Sequence, residues 1–123
     1  MPQFAPTQLA PVDLAALHET TGGDVEFAAD LVASYITSSG ELLTRIRDCV
    51  ARGDRHQLAR AVHQLAGASA NVFATPLFEL CAELERTAEN VRSAELEQHI
   101  ATLAAELARV TDFLANMPGL ARS

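Results

Sequence analysis

Leu58, Val62, Leu65, Ser69 and Val72 follow one another at spacings of four, three, four and three residues, as expected for one helix face turned toward a core. The same alternation runs through Ala28, Val32, Tyr35, Ser39, Leu42, Ile46 and Cys49, and again through Leu96, Ile100, Leu103, Leu107, Val110 and Leu114. A shorter set, Leu77, Leu80, Leu84 and Ala88, lies between them. These are bundle seams. No stretch alternates with the period of two that marks a strand, and no hairpin turn signals occur. The pattern predicts an all-α fold: an antiparallel up-down-up-down four-helix bundle, with a short additional N-terminal helix as a lid.

Turn and capping residues divide the chain. Residues 1–11 hold Pro2, Pro6 and Pro11 without periodicity and read as a flexible leader or linker, once joined to a longer polypeptide. Asp13 caps a short helix to about Thr20, Thr21-Gly22-Gly23 breaks it, and Asp24 starts the second helix, from about Val25 to Arg52. Ser38-Ser39-Gly40 predicts a bend or break in that helix, because Ser and Gly weaken a helix interior. Gly53 ends it and Asp54 caps the third helix. Around Phe73 the chain turns, with Thr75 as N-cap and Pro76 as first helical residue of the fourth helix. A joint near Asn90 to Ser93 leads to the last helix, which Met117-Pro118-Gly119 stops. The bundle is thus expected over 12–117, with a C-terminal tail over 118–123.

Composition narrows the function classes. With 123 residues the chain has room for one domain. It is 49% hydrophobic yet has no Trp and 5% aromatics, so Leu, Ala and Val build the core. A net charge of -7 argues against nucleic acid and anionic membrane as partners, since both need basic patches. No apolar run approaches the ~20 residues of a membrane span, and no signal peptide is visible. Cys49 and Cys81 lie within helical patterns and read as buried thiols in a reducing compartment, so the chain is expected in the cytoplasm, as a monomer.

On the third helix His63 falls about 140° from the middle of the apolar face, pointing at solvent or a partner. Its neighbours along the helix are Ala59, Ala66, Gly67 and Ala70. A solvated face normally carries long polar side chains, and Gly67 costs about 1 kcal/mol relative to Ala. Small residues around an imidazole predict a bare surface that another protein can approach closely. His18, His56 and His99 lack such surroundings. His56 and His63 lie two turns apart without a third ligand at short spacing, so no metal site is expected. Glu79, Glu83 and Glu85 read as a solvated face, and Cys81 as core because no basic partner accompanies it.

His63-Gln64-Leu65-Ala66-Gly67-Ala68-Ser69-Ala70-Asn71, followed by Leu77, Leu80, Cys81, Leu84 and Glu85, resembles the histidine-containing phosphotransfer (HPt) domain of multistep two-component phosphorelays. The likeness extends from about Asp13 to Ala115. It implies that His63 is the phospho-acceptor, taking a phosphoryl group from a receiver-domain aspartate and passing it to another receiver. It implies a carrier without catalytic machinery of its own: the response-regulator receiver, possibly part of the same hybrid sensor kinase, binds the Mg²⁺. Ala59, Arg60, Ala66, Gly67, Ala70 and His56 would form the docking surface, with Ser69 or Asn71 hydrogen bonding nearby. Two positions depart from the family pattern: Ala66 stands where a lysine is usual, and Phe73 where a small residue is common. Arg60 and His56 are candidates to supply the missing positive charge.

A second function class stays open: a helical interaction module that docks and regulates a receiver or sensor kinase without accepting phosphate. Ala66 favours it; the His63 and Gly67 pair favours the carrier. An ATP-using kinase finds no support, since no glycine-rich nucleotide loop is present. A dimerising kinase domain would use two copies of a hairpin, whereas this chain has helices enough to close a bundle alone.

Overall fold

The computed structural model describes residues 10–117. Among them are five α-helices and no strand: α1 (Leu14–Thr20), α2 (Val25–Arg52), α3 (Arg55–Asn71), α4 (Thr75–Thr87) and α5 (Ser93–Ala115). No helix among these residues is long and apolar enough to cross a membrane.

Three aspartates begin the first three helices in the same way. Asp13, Asp24 and Asp54 each accept a hydrogen bond from the backbone N–H three residues on, those of Ala16, Phe27 and Gln57, at 3.1, 3.1 and 3.0 Å. Each satisfies one of the donors a helix start leaves without a partner. Gly53 closes α2 in the left-handed region at φ 71°, where a side chain would cost about 1 kcal/mol or more. Asp54 N–H then reaches back to the Cys49 carbonyl at 3.0 Å, so α3 leaves the end of α2 in a tight reversal.

The predicted seams are the core. Leu58, Val62, Leu65 and Ser69 of α3, and Val72 that caps it, are all at 0% exposure. The seven named positions of α2 and the six of α5 are buried as well. On α4, Leu77, Leu84 and Ala88 are buried, but Leu80 is only half-buried and Cys81 takes the deep position. α3 packs against both α2 and α4, while α5 closes against α4 and α2. Tyr35 of α2 bonds Ser69 of α3, and Arg45 bonds Gln64. As numbers rise on α2 they fall on α3, so the two run antiparallel.

Two boundary expectations are corrected. Ser38-Ser39-Gly40 does not break α2, which is continuous from Val25 to Arg52. Ser39 is buried, and its hydroxyl donates to the Ile36 carbonyl at 3.3 Å, so its polar group is satisfied within the helix. Thr75 is not the cap of α4: Ala74 is, without a side-chain hydrogen bond, and Thr75 is already helical. The turn tightens earlier because Phe73 takes φ 61° and Ala74 N–H returns to the Ser69 carbonyl at 2.9 Å. Phe73 occupies the position where glycine usually ends a helix, and its carbonyl accepts from Asp13 N–H at 2.9 Å, tying the start of α1 to this turn. Pro2, Pro6 and the tail over 118–123 lie outside the described residues.

Candidate functional site

Residue 63 lies on the side of α3 away from the seam, and its side chain is 72% exposed. Its Nδ1 lies 3.0 Å from Oε2 and 3.1 Å from Oε1 of Glu85 on α4. A carboxylate offers only acceptors, so the tautomer assigned from this partner puts the proton on Nδ1. The lone pair then sits on Nε2, at the other edge of the ring.

Glu85 had read as part of a solvated acidic face; it is 38% exposed and engaged. Glu83 pairs with Arg86 instead. What brings Glu85 to His63 is the antiparallel packing of α4 on α3, which also sets His56 Nδ1 3.6 Å from Glu89 Oε2. Moving back seven residues on α3 corresponds to moving forward four on α4. The two His–Glu pairs flank a groove of about 340 Å³, whose α3 wall between the histidines is Ala59, Arg60 and Gln64. Gln64 accepts a hydrogen bond from Arg45 of α2 at 2.7 Å. Arg60 is exposed and, among the described residues, makes no hydrogen bond or ion pair.

The remaining predicted neighbours of His63 separate into two groups. Gly67 and Ala70 are exposed and Ala59 is half-buried. A Cβ built at Gly67 would meet nothing within 4 Å, so no neighbour inside the fold requires the glycine. Ala66 was expected on this bare surface but is buried at 5% exposure. α3 packs on two neighbours, so its buried arc is wider than the single seam implied. Ser69 is fully buried, as its place in the seam predicts, and shares a 2.9 Å hydrogen bond with the Tyr35 hydroxyl across the α2–α3 interface rather than bonding near His63. Asn71 is exposed as the last residue of α3, about 12 Å along the axis from His63. Neither Ser69 nor Asn71 is within reach of the imidazole.

The two cysteines are free thiols in the interior. Burial pushes the Cys81 thiol up to about 12, with the nearby negative charge of Glu85 acting in the same direction. That is opposite to what a nucleophilic thiolate needs. Among the described residues no group of three or more His, Cys, Asp or Glu side chains is placed to hold a metal ion.

Fold and groove together define an all-helical domain that presents two surface imidazoles, each facing a carboxylate, with only that of His63 at hydrogen-bond distance. The family model described as the Hpt domain matches residues 30–113, more than half of the chain. The chain belongs to the Hpt domain family. Membership brings histidine phosphotransfer in phosphorelays and interaction with receiver domains. No curated protein and no solved structure matches the chain.

Proposed function

We propose that His63 is the phospho-acceptor of a carrier that moves a phosphoryl group between response-regulator receiver domains, and that Glu85 orients it. In this reading α2 to α5 form an up-down-up-down bundle whose α3–α4 face meets the receiver. The observation that carries the proposal is the 3.0 Å contact between Nδ1 and Glu85 on an imidazole 72% exposed. Such a ring has its nucleophilic nitrogen accessible, in one tautomer and one orientation.

The Nε2 lone pair attacks phosphorus as the bond between phosphorus and the aspartyl oxygen breaks. The receiver's carboxylate leaves with the electron pair. The ring, now bonded through both nitrogens to phosphorus and hydrogen, carries a positive charge, and the Glu85 carboxylate faces it. A charge that develops during transfer therefore meets a preplaced opposite charge. Mg²⁺ bound by the receiver would supply the remaining electrostatic stabilisation. Gly67 and Ala70 leave room beside the ring for the partner's backbone.

The test is transfer from a phosphorylated receiver, with the site mapped by peptide mass spectrometry. Acid-labile phosphate on His63, lost in His63→Gln, is expected. Label that persists at wild-type level in His63→Gln overturns the proposal. The alternative, a docking module that accepts no phosphate, is favoured by Ala66 in place of the usual lysine. It predicts receiver binding with no label and full output from His63→Ala.

A further inference from the structure

Resting on the reading of His63 as acceptor, we propose that Arg60 is the phosphoryl-binding residue of this site: its guanidinium holds the oxygens of the group carried on His63 Nε2. The first reason is place. Arg60 lies three residues before His63 on the same wall of the groove, and residues so spaced have Cβ atoms only about 5–6 Å apart.

The second reason is availability. Arg45 is engaged by Gln64, Arg52 by Asp48 and Arg55 by two backbone carbonyls. Arg60 makes no hydrogen bond or ion pair among the described residues. Both carboxylates of the groove are already turned to imidazoles, Glu85 to His63 and Glu89 to His56. The groove thus contains one guanidinium that no internal acid has claimed.

The third reason is charge. A phosphoryl group brings about -1.5 to -2 charges into a groove with two carboxylates, on a chain of net charge -7. Ala66 is buried and brings no cation. A planar guanidinium matches phosphoryl oxygens with two parallel N–H donors, which an ammonium cannot do. His56 is the weaker candidate: it is two turns from His63, about 10 Å along the axis, and its Nδ1 faces Glu89.

Two donors separate this role from docking: phosphoramidate, a small molecule that phosphorylates histidine without a partner, and an isolated receiver phosphorylated with acetyl phosphate. Uptake at His63 is followed by mass spectrometry, and the phosphohistidine signal by phosphorus NMR. Loss of one charge-assisted contact in Arg60→Ala is expected to slow uptake from both donors about tenfold and to shift the phosphorus resonance. Arg60→Lys should recover most of the rate but not the wild-type resonance. Arg47→Ala, an equal change of charge outside the groove lining, should match wild type, and all variants should keep the wild-type thermal melt. Wild-type uptake and an unshifted resonance in Arg60→Ala overturn the assignment while leaving His63 as acceptor. A defect seen only with the receiver, with the resonance unshifted, assigns Arg60 to docking and overturns it too. Absence of label at His63 from both donors instead removes the reading beneath it.

Discussion

Glu85 of α4 holds the Nδ1 edge of His63 of α3 at 3.0 Å, across 22 residues of sequence. The pair stabilises little, because its imidazole is 72% exposed and surface pairs of this kind contribute about 0.2–1 kcal/mol. In the proposed transfer its effect belongs to the chemistry: one tautomer, one ring orientation, and a negative charge facing the ring as it becomes cationic.

Glu85→Ala should therefore separate function from stability. Phosphoryl uptake at His63 is expected to fall about tenfold, the worth of one charge-assisted hydrogen bond. The urea midpoint should move by less than about 1 kcal/mol equivalent. Glu85→Gln keeps an acceptor but not the charge, and should fall between Glu85→Ala and wild type. Stopped-flow transfer and equilibrium unfolding on the same samples check both parts.

Gly67→Ala should move stability and function in opposite directions. Beyond the helix's own adjacent backbone, no atom of the fold lies within 4 Å of the added methyl, and alanine is better than glycine within a helix by about 0.5–1 kcal/mol. The melting temperature is expected to rise. Affinity for a receiver, measured by calorimetry, should drop because the methyl stands where the partner's backbone approaches.

Above neutral pH two buried groups should weaken the fold. Burial pushes the Tyr35 phenol from 10.0 up to about 12, partly offset by its hydrogen bond with Ser69, and pushes the Cys81 thiol from 9.0 up to about 12. Both acids lose their protons more readily in the unfolded chain, which then binds fewer protons than the native one. Stability falls as pH rises. The contribution is intact below about pH 9 and is lost between about 9 and 12, at up to about 1.4 kcal/mol per pH unit for each group. Tyr35 is the one tyrosine, and there is no Trp, so phenolate absorbance reports it alone. That absorbance should stay flat through pH 10 in native protein and rise with unfolding. Tyr35→Phe should lessen the alkaline loss above pH 10.

Arg55 holds the α4–α5 joint: its Nη1 donates to the carbonyls of Ala88 at 2.8 Å and Val91 at 2.7 Å. Arg55→Ala leaves both partly buried acceptors without this donor. A loss of about 1–3 kcal/mol is expected, with faster amide exchange concentrated around residues 88–93.

The local rules of helix formation were legible residue by residue. Apolar positions repeating at three and four marked the seams of α2, α3 and α5, and Asp13, Asp24, Asp54 and Gly53 marked the ends of α1 to α3, because caps and periodicity depend on neighbours a few residues away. His63 could be singled out for the same reason: its exposure and small helical neighbours follow from 3.6 residues per turn. Ala66 was misplaced because one seam describes packing on one neighbour, whereas α3 packs on two. Glu85 looked like any solvated acid, although Glu85 and Glu89 four apart, facing His63 and His56 seven apart, was a signal once α4 was laid antiparallel on α3. The sequence by itself thus determined which elements form and that His63 is offered outward among small helical neighbours. Only the tertiary structure decided that Glu85 meets its Nδ1, that Ser69 binds Tyr35, and that Arg60 is the unclaimed cation in the same groove. Those relationships depend on helix register and crossing, which the whole core sets together and no short stretch of chain encodes.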